Sequence, residues 1–266
     1  MSDFLVNMAQ ASRARAAELP ERVKAPAHTP IAFPDDPFAV IAEIKRVSPA
    51  EGELGSRDDI AVRAQRYVDG GAAAISVLTE PSRFGGSLAD LEAIATALPT
   101  TPVMRKDFLT DARQLDEACS ARASGVLLIA AMLDDETLRA LTLGAIERSL
   151  FVLLEAFDAD DIARLITLRN VPTIEAAISN RQVLYGVNSR DLRTLAVDPT
   201  RLNTLAALLP TDVVTIAESG IKTPDDAIDA KAAGYQGALI GTALMRAADP
   251  TQLLQALRSA ALETGP

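Results

Sequence analysis

The sequence lacks tryptophan and has one cysteine and one histidine in 266 residues. The single Cys119 excludes an intramolecular disulfide, and the lone His28, with no C-x-x-C pattern, argues against a zinc site. No apolar run approaches the roughly 18 residues that a membrane-spanning helix needs. The first residues mix charges and lack the apolar core of a secretory signal. We therefore predict a cytoplasmic protein that binds neither a metal ion nor a membrane.

Positively charged residues are fewer than negatively charged ones: the chain has 26 Lys and Arg and 36 Asp and Glu, which gives a formal net charge of −10. An acidic surface repels the phosphate backbone of nucleic acid and anionic lipid, so neither is expected as a partner. A small anionic ligand is not excluded, because it responds to the few charges of its pocket more than to the screened surface average. The length is close to the roughly 250 residues of a single (β/α)8 barrel.

The first 38 residues differ in composition and hydrophobic periodicity from the rest of the chain. Helix-forming residues run from about Asp3 to Leu19 and stop at Pro20, with Ser2 or Asp3 able to cap the helix. A Pro-rich connector, Pro26–Pro37, follows without periodicity. We predict an N-terminal helical extension and connector over residues 1–38 and a barrel domain over residues 39–266.

From Ala39 onward, short apolar runs of strand length alternate with helical segments. The runs are continuous instead of alternating, which is typical of parallel strands covered on both faces. There are eight of them: Ala39–Ile44, Ala73–Leu78, Pro102–Arg105, Gly125–Ala130, Leu150–Glu155, Val183–Asn188, Val213–Glu218 and Gly237–Gly241.

The segments between these runs have helical spacing. In Asp111–Gly125, for example, Leu115, Ala118 and Arg122 fall at i, i+3 and i+7. The stretches SARASG and AKAAGYQG are typical of helices that a C-cap glycine ends before a strand. Eight βα units in one domain length predict a closed α/β barrel, a TIM barrel; a doubly wound open sheet is the alternative.

Charged side chains gather where the predicted strands end. Catalytic groups of such barrels project from the C-terminal strand ends, and buried charges are costly unless paired. Glu43 and Lys45 share one face of the first strand, since alternate residues point the same way. The other polar strand-end residues are Lys106, Glu155, Asn188 and Glu218. They indicate catalysis, although such charges could instead pair with one another only to close the barrel mouth.

Small residues follow the last two strands. Ser219-Gly220 and Gly241-Thr242 lie in the two loops where this fold frequently binds phosphate through backbone N–H groups. Glycine also serves ordinary turns, so the position after strands seven and eight is the informative part. We predict a small phosphorylated anionic substrate.

The strand ends carry a series of sequence motifs. They are VIAEIKRVSP, ISVLTEPSRFGGS, PVMRKDF, VLLIAAML, VLLEAFD, YGVNSRDLRTLAVD, VTIAESGI and ALIGTALMRAADP, in that order from Val40 to Pro250. Together these motifs resemble those of the indole-3-glycerol phosphate synthases of tryptophan biosynthesis. The combination of E-I-K-R-x-S-P, R-K-D-F, G-V-N-S-R-D-L and E-S-G-I is highly specific. The resemblance implies a TIM barrel whose N-terminal helix lies over the mouth.

The resemblance also implies roles for particular residues. Catalytic roles fall to Glu43, Lys45, Lys106, Glu155, Asn188 and Glu218. Contacts to the substrate's carboxyphenyl ring and chain fall to Ser48, Phe84, Phe108, Ile129, Arg190 and Leu192. Phosphate binding falls to Lys45, Ser219, Gly220, Gly241 and Thr242. No metal or organic cofactor is expected, and whether other enzymes of tryptophan biosynthesis bind this chain stays open.

The implied reaction closes an indole ring on a phosphorylated ribulose that bears an o-carboxyphenylamino group, with loss of carbon dioxide and water. Lys106 is expected to be the acid and Glu155 the base. The sequence departs from the family at Glu51, Gly85 and Phe157. The alternatives are another phosphosugar barrel, such as a phosphoribosylanthranilate isomerase or a sugar-phosphate epimerase, and a barrel that binds a phosphorylated metabolite without catalysis.

Overall fold

Eight parallel strands form a closed ring in the computed structural model, which describes residues 3–21, 28–48, 52–54, 59–198 and 200–263. Each strand pairs with the next, and the eighth pairs with the first, so the predicted barrel is confirmed and the open sheet is excluded. The strands are β1 (Ala39–Ile44), β2 (Ala74–Leu78), β3 (Val103–Lys106), β4 (Gly125–Ile129), β5 (Phe151–Ala156), β6 (Val183–Asn188), β7 (Thr215–Glu218) and β8 (Gly237–Ile240).

Helices cover the outside of this ring. Their bounds are Asp3–Ala17, Ile60–Asp69, Pro81–Phe84, Leu88–Ala97, Arg113–Ser120, Asp135–Glu147, Ala159–Leu168, Pro172–Ser179, Arg201–Ala206, Pro224–Ala232, Thr242–Arg246 and Pro250–Glu263, with a 3-10 turn at Ala130–Met132. Two short strands, Val47–Ser48 and Gly52–Glu53, pair antiparallel after β1. Within the described ranges, no helix has the length and apolar character needed to cross a membrane.

Side chains alternate between the barrel lumen and the helix layer. The lumen side chains Ile41, Leu127, Leu153 and Ile216 belong to one buried cluster, whereas outward neighbours such as Val40 pack beneath the helices. The same alternation continues to the carboxyl ends of the strands, where inward positions become polar. The last inward residues of β1, β3, β5, β6 and β7 are Glu43, Lys106, Glu155, Asn188 and Glu218.

The predicted glycine cap before β4 is wrong. The helix there ends at Ser120, and Arg122 takes the left-handed conformation with φ 65°. Gly125 instead begins β4, where an added Cβ would lie 2.5 Å from the Phe151 ring, so glycine is needed for packing. The other predicted cap agrees with the structure, since Gly234 has φ 105° after its helix.

The N-terminal segment covers both ends of the barrel. The helix Asp3–Ala17 lies over the mouth, where Leu5 and Met8 are buried in the same cluster as Phe108. At the opposite end, the ring of Phe33 meets that of Phe151 edge-on, with centroids 5.3 Å apart. Residues 22–27, which include the first two residues of the predicted connector, and the predicted cap Ser2 lie outside the described residues. The division at residue 38 stays a prediction.

Candidate active site

A cavity of about 210 Å³ opens at the carboxyl ends of the strands. Its lining includes fourteen of the residues singled out in the sequence. They are Glu43, Lys45, Phe84, Lys106, Phe108, Ile129, Asn188, Arg190, Leu192, Glu218, Ser219, Gly220, Gly241 and Thr242. Residues from distant parts of the chain meet here because parallel strands all end at the same rim of a barrel.

Two of the singled-out residues are not among the described side chains that line the cavity. Glu155 is fully buried behind it, and its Oε1 accepts a hydrogen bond from Asn188 Nδ2 at 3.0 Å. Ser48 ends a short strand after β1, but its side chain lies outside what the structure describes. Glu51, one of the departures from the family pattern, also lies outside the described residues.

The Lys106 ammonium is held between two buried carboxylates. Its Nζ lies 3.2 Å from Glu155 Oε2 and 3.4 Å from Glu218 Oε2. The lysine side chain is 15% exposed, whereas the side chains of Glu155 and Glu218 are almost completely buried. In the barrel register, β6 sets Asn188 directly beside Glu218 of β7, which brings the amide and both carboxylates into one cluster.

The surroundings shift the pKa values of two members of this cluster. Burial by itself lowers the pKa of Lys106, but the negative charges of Glu155, Glu218 and Glu43 outweigh that effect and raise it. Burial, followed by repulsion from Glu155, raises the pKa of Glu218 well above its usual value, although Lys106 opposes the shift. The cluster therefore keeps a cationic acid facing the cavity at neutral pH.

Glu43 and Lys45 form a second ion pair on the rim. Lys45 Nζ lies 2.8 Å from Glu43 Oε1, and both residues border the cavity. An added Cβ at Gly241 would collide with Glu43 Oε1, so the glycine makes room for the carboxylate. Glu43 and Lys45 do pair with each other, as expected if such charges only close the barrel mouth. Both residues also face an open cavity, however, as expected of a site that binds a substrate.

Gly186 makes room for Glu218 in the same way. It lies on β6, and an added Cβ there would collide with Glu218 Oε1 and come within 3.2 Å of Leu153 Cδ1. Glu218 Oε1 is buried and has no hydrogen-bond partner among the described residues. A glycine inside an apolar strand often marks such a close approach, so Tyr185-Gly186 was a usable signal in the sequence that we did not exploit.

Replacing Gly186 by alanine is expected to displace the Glu218 carboxylate from Lys106 and lower kcat by roughly 10- to 100-fold, because hydrogen bonds to charged groups contribute about 1.5–3 kcal/mol. Gly144→Ala is the matched control, since Gly144 lies on the outer helix Asp135–Glu147 and should keep wild-type kcat. Steady-state kinetics and thermal unfolding of both variants make the test. Unchanged kcat in Gly186→Ala would contradict a role for the Glu218 position.

The loop after β7 contains two consecutive residues in the left-handed backbone conformation. Ser219 and Gly220 both have positive φ, 64° and 85°. For a serine this conformation costs about 1–3 kcal/mol and is concentrated at functional sites. Lys222 continues the lining of the cavity on this side and is exposed, so it adds a positive charge that the sequence analysis did not assign.

Aromatic rings form another part of the cavity wall. The Phe84 and Phe108 rings have centroids 6.0 Å apart, and Phe4 of the N-terminal helix meets Phe108 edge-on at 6.2 Å. Phe4 was missed in the sequence analysis, although its helix was expected over the mouth. These rings make part of the cavity wall apolar, whereas Lys222 adds a positive charge to the lining.

Two departures from the family pattern have local explanations. Gly85 ends the helix Pro81–Phe84 with φ 61°, a conformation that glycine adopts without strain. Phe157 is completely buried, and the guanidinium of Arg193 lies over its ring at 5.6 Å. Cys119 lies half-buried on an outer helix, which separates it from the acid–base cluster.

Comparisons with known proteins show the family to which this chain is similar. Residues 9–257 match the family model described as "Indole-3-glycerol phosphate synthase". A protein of that name from Nocardioides sp. is 46% identical over 212 residues, covering 80% of this chain and 76% of the relative. Another, from Parafrankia sp., is 38% identical over 259 residues, covering 97% of this chain and 92% of the relative.

Solved structures with lower identity show the fold alone. A 3-hexulose-6-phosphate synthase from Salmonella typhimurium superposes with a TM-score of 0.63 at 18% identity, covering 86% of this chain and 100% of that chain. A thiamine phosphate pyrophosphorylase from Pyrococcus furiosus gives a TM-score of 0.59 at 16% identity, covering 86% and 98%. The barrel is thus shared with proteins of different names, and the site residues decide the function.

Proposed function

The chain belongs to the indole-3-glycerol phosphate synthase family, and we propose that the residues gathered at the barrel mouth carry out that family's ring closure. The chain is a carboxy-lyase of tryptophan biosynthesis. Its substrate is 1-(2-carboxyphenylamino)-1-deoxyribulose 5-phosphate, which becomes indole-3-glycerol phosphate with loss of carbon dioxide and water. The observation that carries the assignment of roles is the Lys106 ammonium, held by two buried carboxylates and directed at the cavity.

The two sides of the cavity suit the two ends of this substrate. The phosphate fits the loops at Ser219-Gly220 and Gly241-Thr242, where backbone N–H groups are available to an anion. The carboxyphenyl ring fits the wall of Phe84 and Phe108, completed by Ile129 and Leu192. Lys45 lies on the rim beside Gly241 and pairs with the substrate's anionic groups, with Glu43 holding its ammonium in place.

Ring closure needs an acid at the ribulose carbonyl. As the ring carbon attacks, negative charge develops on the carbonyl oxygen, and Lys106 donates a proton to it. A lysine with a raised pKa stays protonated at neutral pH and so is ready to act in every molecule. Loss of carbon dioxide then restores aromaticity to the six-membered ring.

Dehydration needs a base to take a proton from the intermediate and an acid to protonate the hydroxyl formed in the first step, which then leaves as water. Glu155 Oε2 lies directly behind Lys106 Nζ, so movement of the lysine toward the substrate uncovers the carboxylate that accepts the proton. Asn188 and Glu218 border the cavity and hold the intermediate's hydroxyl groups. Arg190 holds its own loop, since its Nη1 donates to Leu195 O at 3.2 Å.

The direct test is to mix the purified protein with the carboxyphenylamino-ribulose phosphate and follow indole fluorescence together with carbon dioxide release. The chain has no tryptophan, so the background is low. We expect saturable product formation, and a higher KM for the substrate without its phosphate. Saturable binding without product would favour the binding-only barrel, and turnover of a different phosphosugar would favour another enzyme of this fold.

The remaining expectations about the cellular setting belong to the same proposal. A substrate of this polarity and a chain rich in acidic residues fit a cytoplasmic enzyme that binds neither nucleic acid nor membrane. The chemistry assigned above uses side chains and backbone groups of this chain alone, in keeping with the expectation that no cofactor is needed.

A further inference from the structure

We propose that Arg15 of the N-terminal helix is a positioning residue for catalysis: its guanidinium joins Asp107, the residue after Lys106, to Glu80, which caps the helix that carries Phe84. The inference rests on the proposed function, because it concerns the same cavity. Arg15 does not line that cavity, and its side chain is 28% exposed. Its effect on the reaction must therefore pass through the residues it contacts.

The first contact is Asp107, the residue directly after Lys106. Asp107 is buried, and each of its oxygens has two donors. Oδ1 accepts from Arg15 Nη2 at 2.6 Å and from the Phe108 backbone N–H at 2.8 Å. Oδ2 accepts from Thr79 Oγ1 at 2.8 Å and from Arg105 Nη2 at 3.1 Å. These four bonds fix the backbone from which Lys106 and Phe108 project.

The second contact is Glu80, in the loop after β2. Its Oε1 accepts from Arg15 Nη1 at 3.4 Å, and the residue is completely buried. The same carboxylate caps the short helix Pro81–Phe84, because it also accepts from the backbone N–H groups of Ser82 and Arg83. Glu80 thereby sets the direction in which Phe84 enters the aromatic wall.

One planar guanidinium thus binds two buried carboxylates from different loops. Arginine suits this place because its fork presents several donors in a fixed geometry, whereas a lysine ammonium is a point charge on a flexible stem. The adjoining Arg105 binds Asp107 as well but turns its Nη1 to Glu117 at 2.8 Å, so it does not replace Arg15 at Glu80. Without Arg15, the buried carboxylates of Glu80 and Asp107 would each lose a cationic partner, which is costly for a buried charge.

The consequence concerns geometry at the reacting atoms. Lys106 Nζ must meet the substrate carbonyl while the wall of Phe84 and Phe108 holds the ring in place. A misplacement of about 1 Å can cost roughly 100-fold in rate even when it originates far from the chemistry. Loosening the Arg15 bridge should shift the lysine and the wall relative to each other.

The experiment compares Arg15→Gln with a matched variant, Arg258→Gln. Arg258 also binds an aspartate at 2.6 Å and is 23% exposed, but it lies at the opposite end of the barrel, bonded to Asp36 and to Gly71 O. We expect Arg15→Gln to lower kcat by roughly 10- to 100-fold and to raise KM. Arg258→Gln should lose comparable thermal stability and keep wild-type kcat. Equal kcat in the two variants would overturn the proposal.

Two further variants separate positioning from folding. Arg15→Lys keeps the positive charge but loses the planar guanidinium, so it should recover thermal stability while kcat stays low. Wild-type kcat in this variant would contradict the proposal that Arg15 joins Asp107 and Glu80. Arg15→Gln combined with Asp107→Asn should cost little more kcat than Asp107→Asn alone, because both act on one path. Losses that multiply would place the action of Arg15 elsewhere and sink the idea. Wild-type protein assayed in parallel keeps the two proposals apart, since an inactive wild type overturns the function and not the bridge.

Discussion

Lys106→Ala is expected to lower kcat by at least about 10²–10⁴-fold, the usual contribution of a positioned acid. Its ammonium contacts both Glu155 and Glu218, and Lys106 lines the cavity. Indole fluorescence under saturating substrate measures kcat, and circular dichroism verifies the fold. Near-normal turnover would remove Lys106 from the mechanism. Lys106→Arg keeps a positive charge but cannot release its proton, so it should also be slow.

The fold of the Lys106→Ala variant needs its own control. Removing the ammonium leaves Glu155 and Glu218 facing each other in a buried site, where burial already raises the pKa of Glu218. A carboxyl with a raised folded pKa binds more protons when folded, so stability falls as the pH rises from about 4.3 toward that pKa. The stability deficit of Lys106→Ala relative to wild type should therefore shrink on acidification. A deficit that grows at lower pH would contradict this account of the cluster.

Glu155→Gln is expected to cause the second large loss, again about 10²–10⁴-fold in kcat if the carboxylate is the base of the dehydration. The substitution preserves shape, and the amide can still lie against Asn188 and Lys106, so the fold should hold. Of the effects that raise the pKa of Lys106, the charge of Glu155 is the largest. Its removal lowers the pKa of Lys106, and the alkaline limb of the kcat profile should move to lower pH.

Glu218→Gln provides the matched comparison for that experiment. It also removes one carboxylate from Lys106, at 3.4 Å, but Glu218 is assigned to hold the hydroxyl groups of the intermediate. A pH shift with a smaller fall in kcat is the expected result. If Glu218→Gln is the slower variant, the base is Glu218 and the roles of the two carboxylates must be exchanged.

Much of the site could be predicted because barrel topology converts a one-dimensional pattern into proximity. The inward residues at the ends of β1, β3, β5, β6 and β7 meet at one rim wherever they stand in the chain. Strand periodicity and position along the chain were enough to gather Glu43, Lys106 and Glu218. The prediction of a glycine cap before β4 was wrong because it relied on a local pattern alone. Gly125 is there for a tertiary contact, its packing against the Phe151 ring.

The sequence by itself determined the barrel, the family and the set of polar strand-end residues, because these depend on hydrophobic periodicity and motif order. Only the tertiary structure decided which groups touch: that Glu155 lies behind Lys106 instead of in the cavity, and that Arg15 reaches Asp107 across 92 positions. Such contacts depend on side-chain direction and on how a separate helix docks. Docking is set by the shape of the assembled surface, and no local pattern in the chain encodes it.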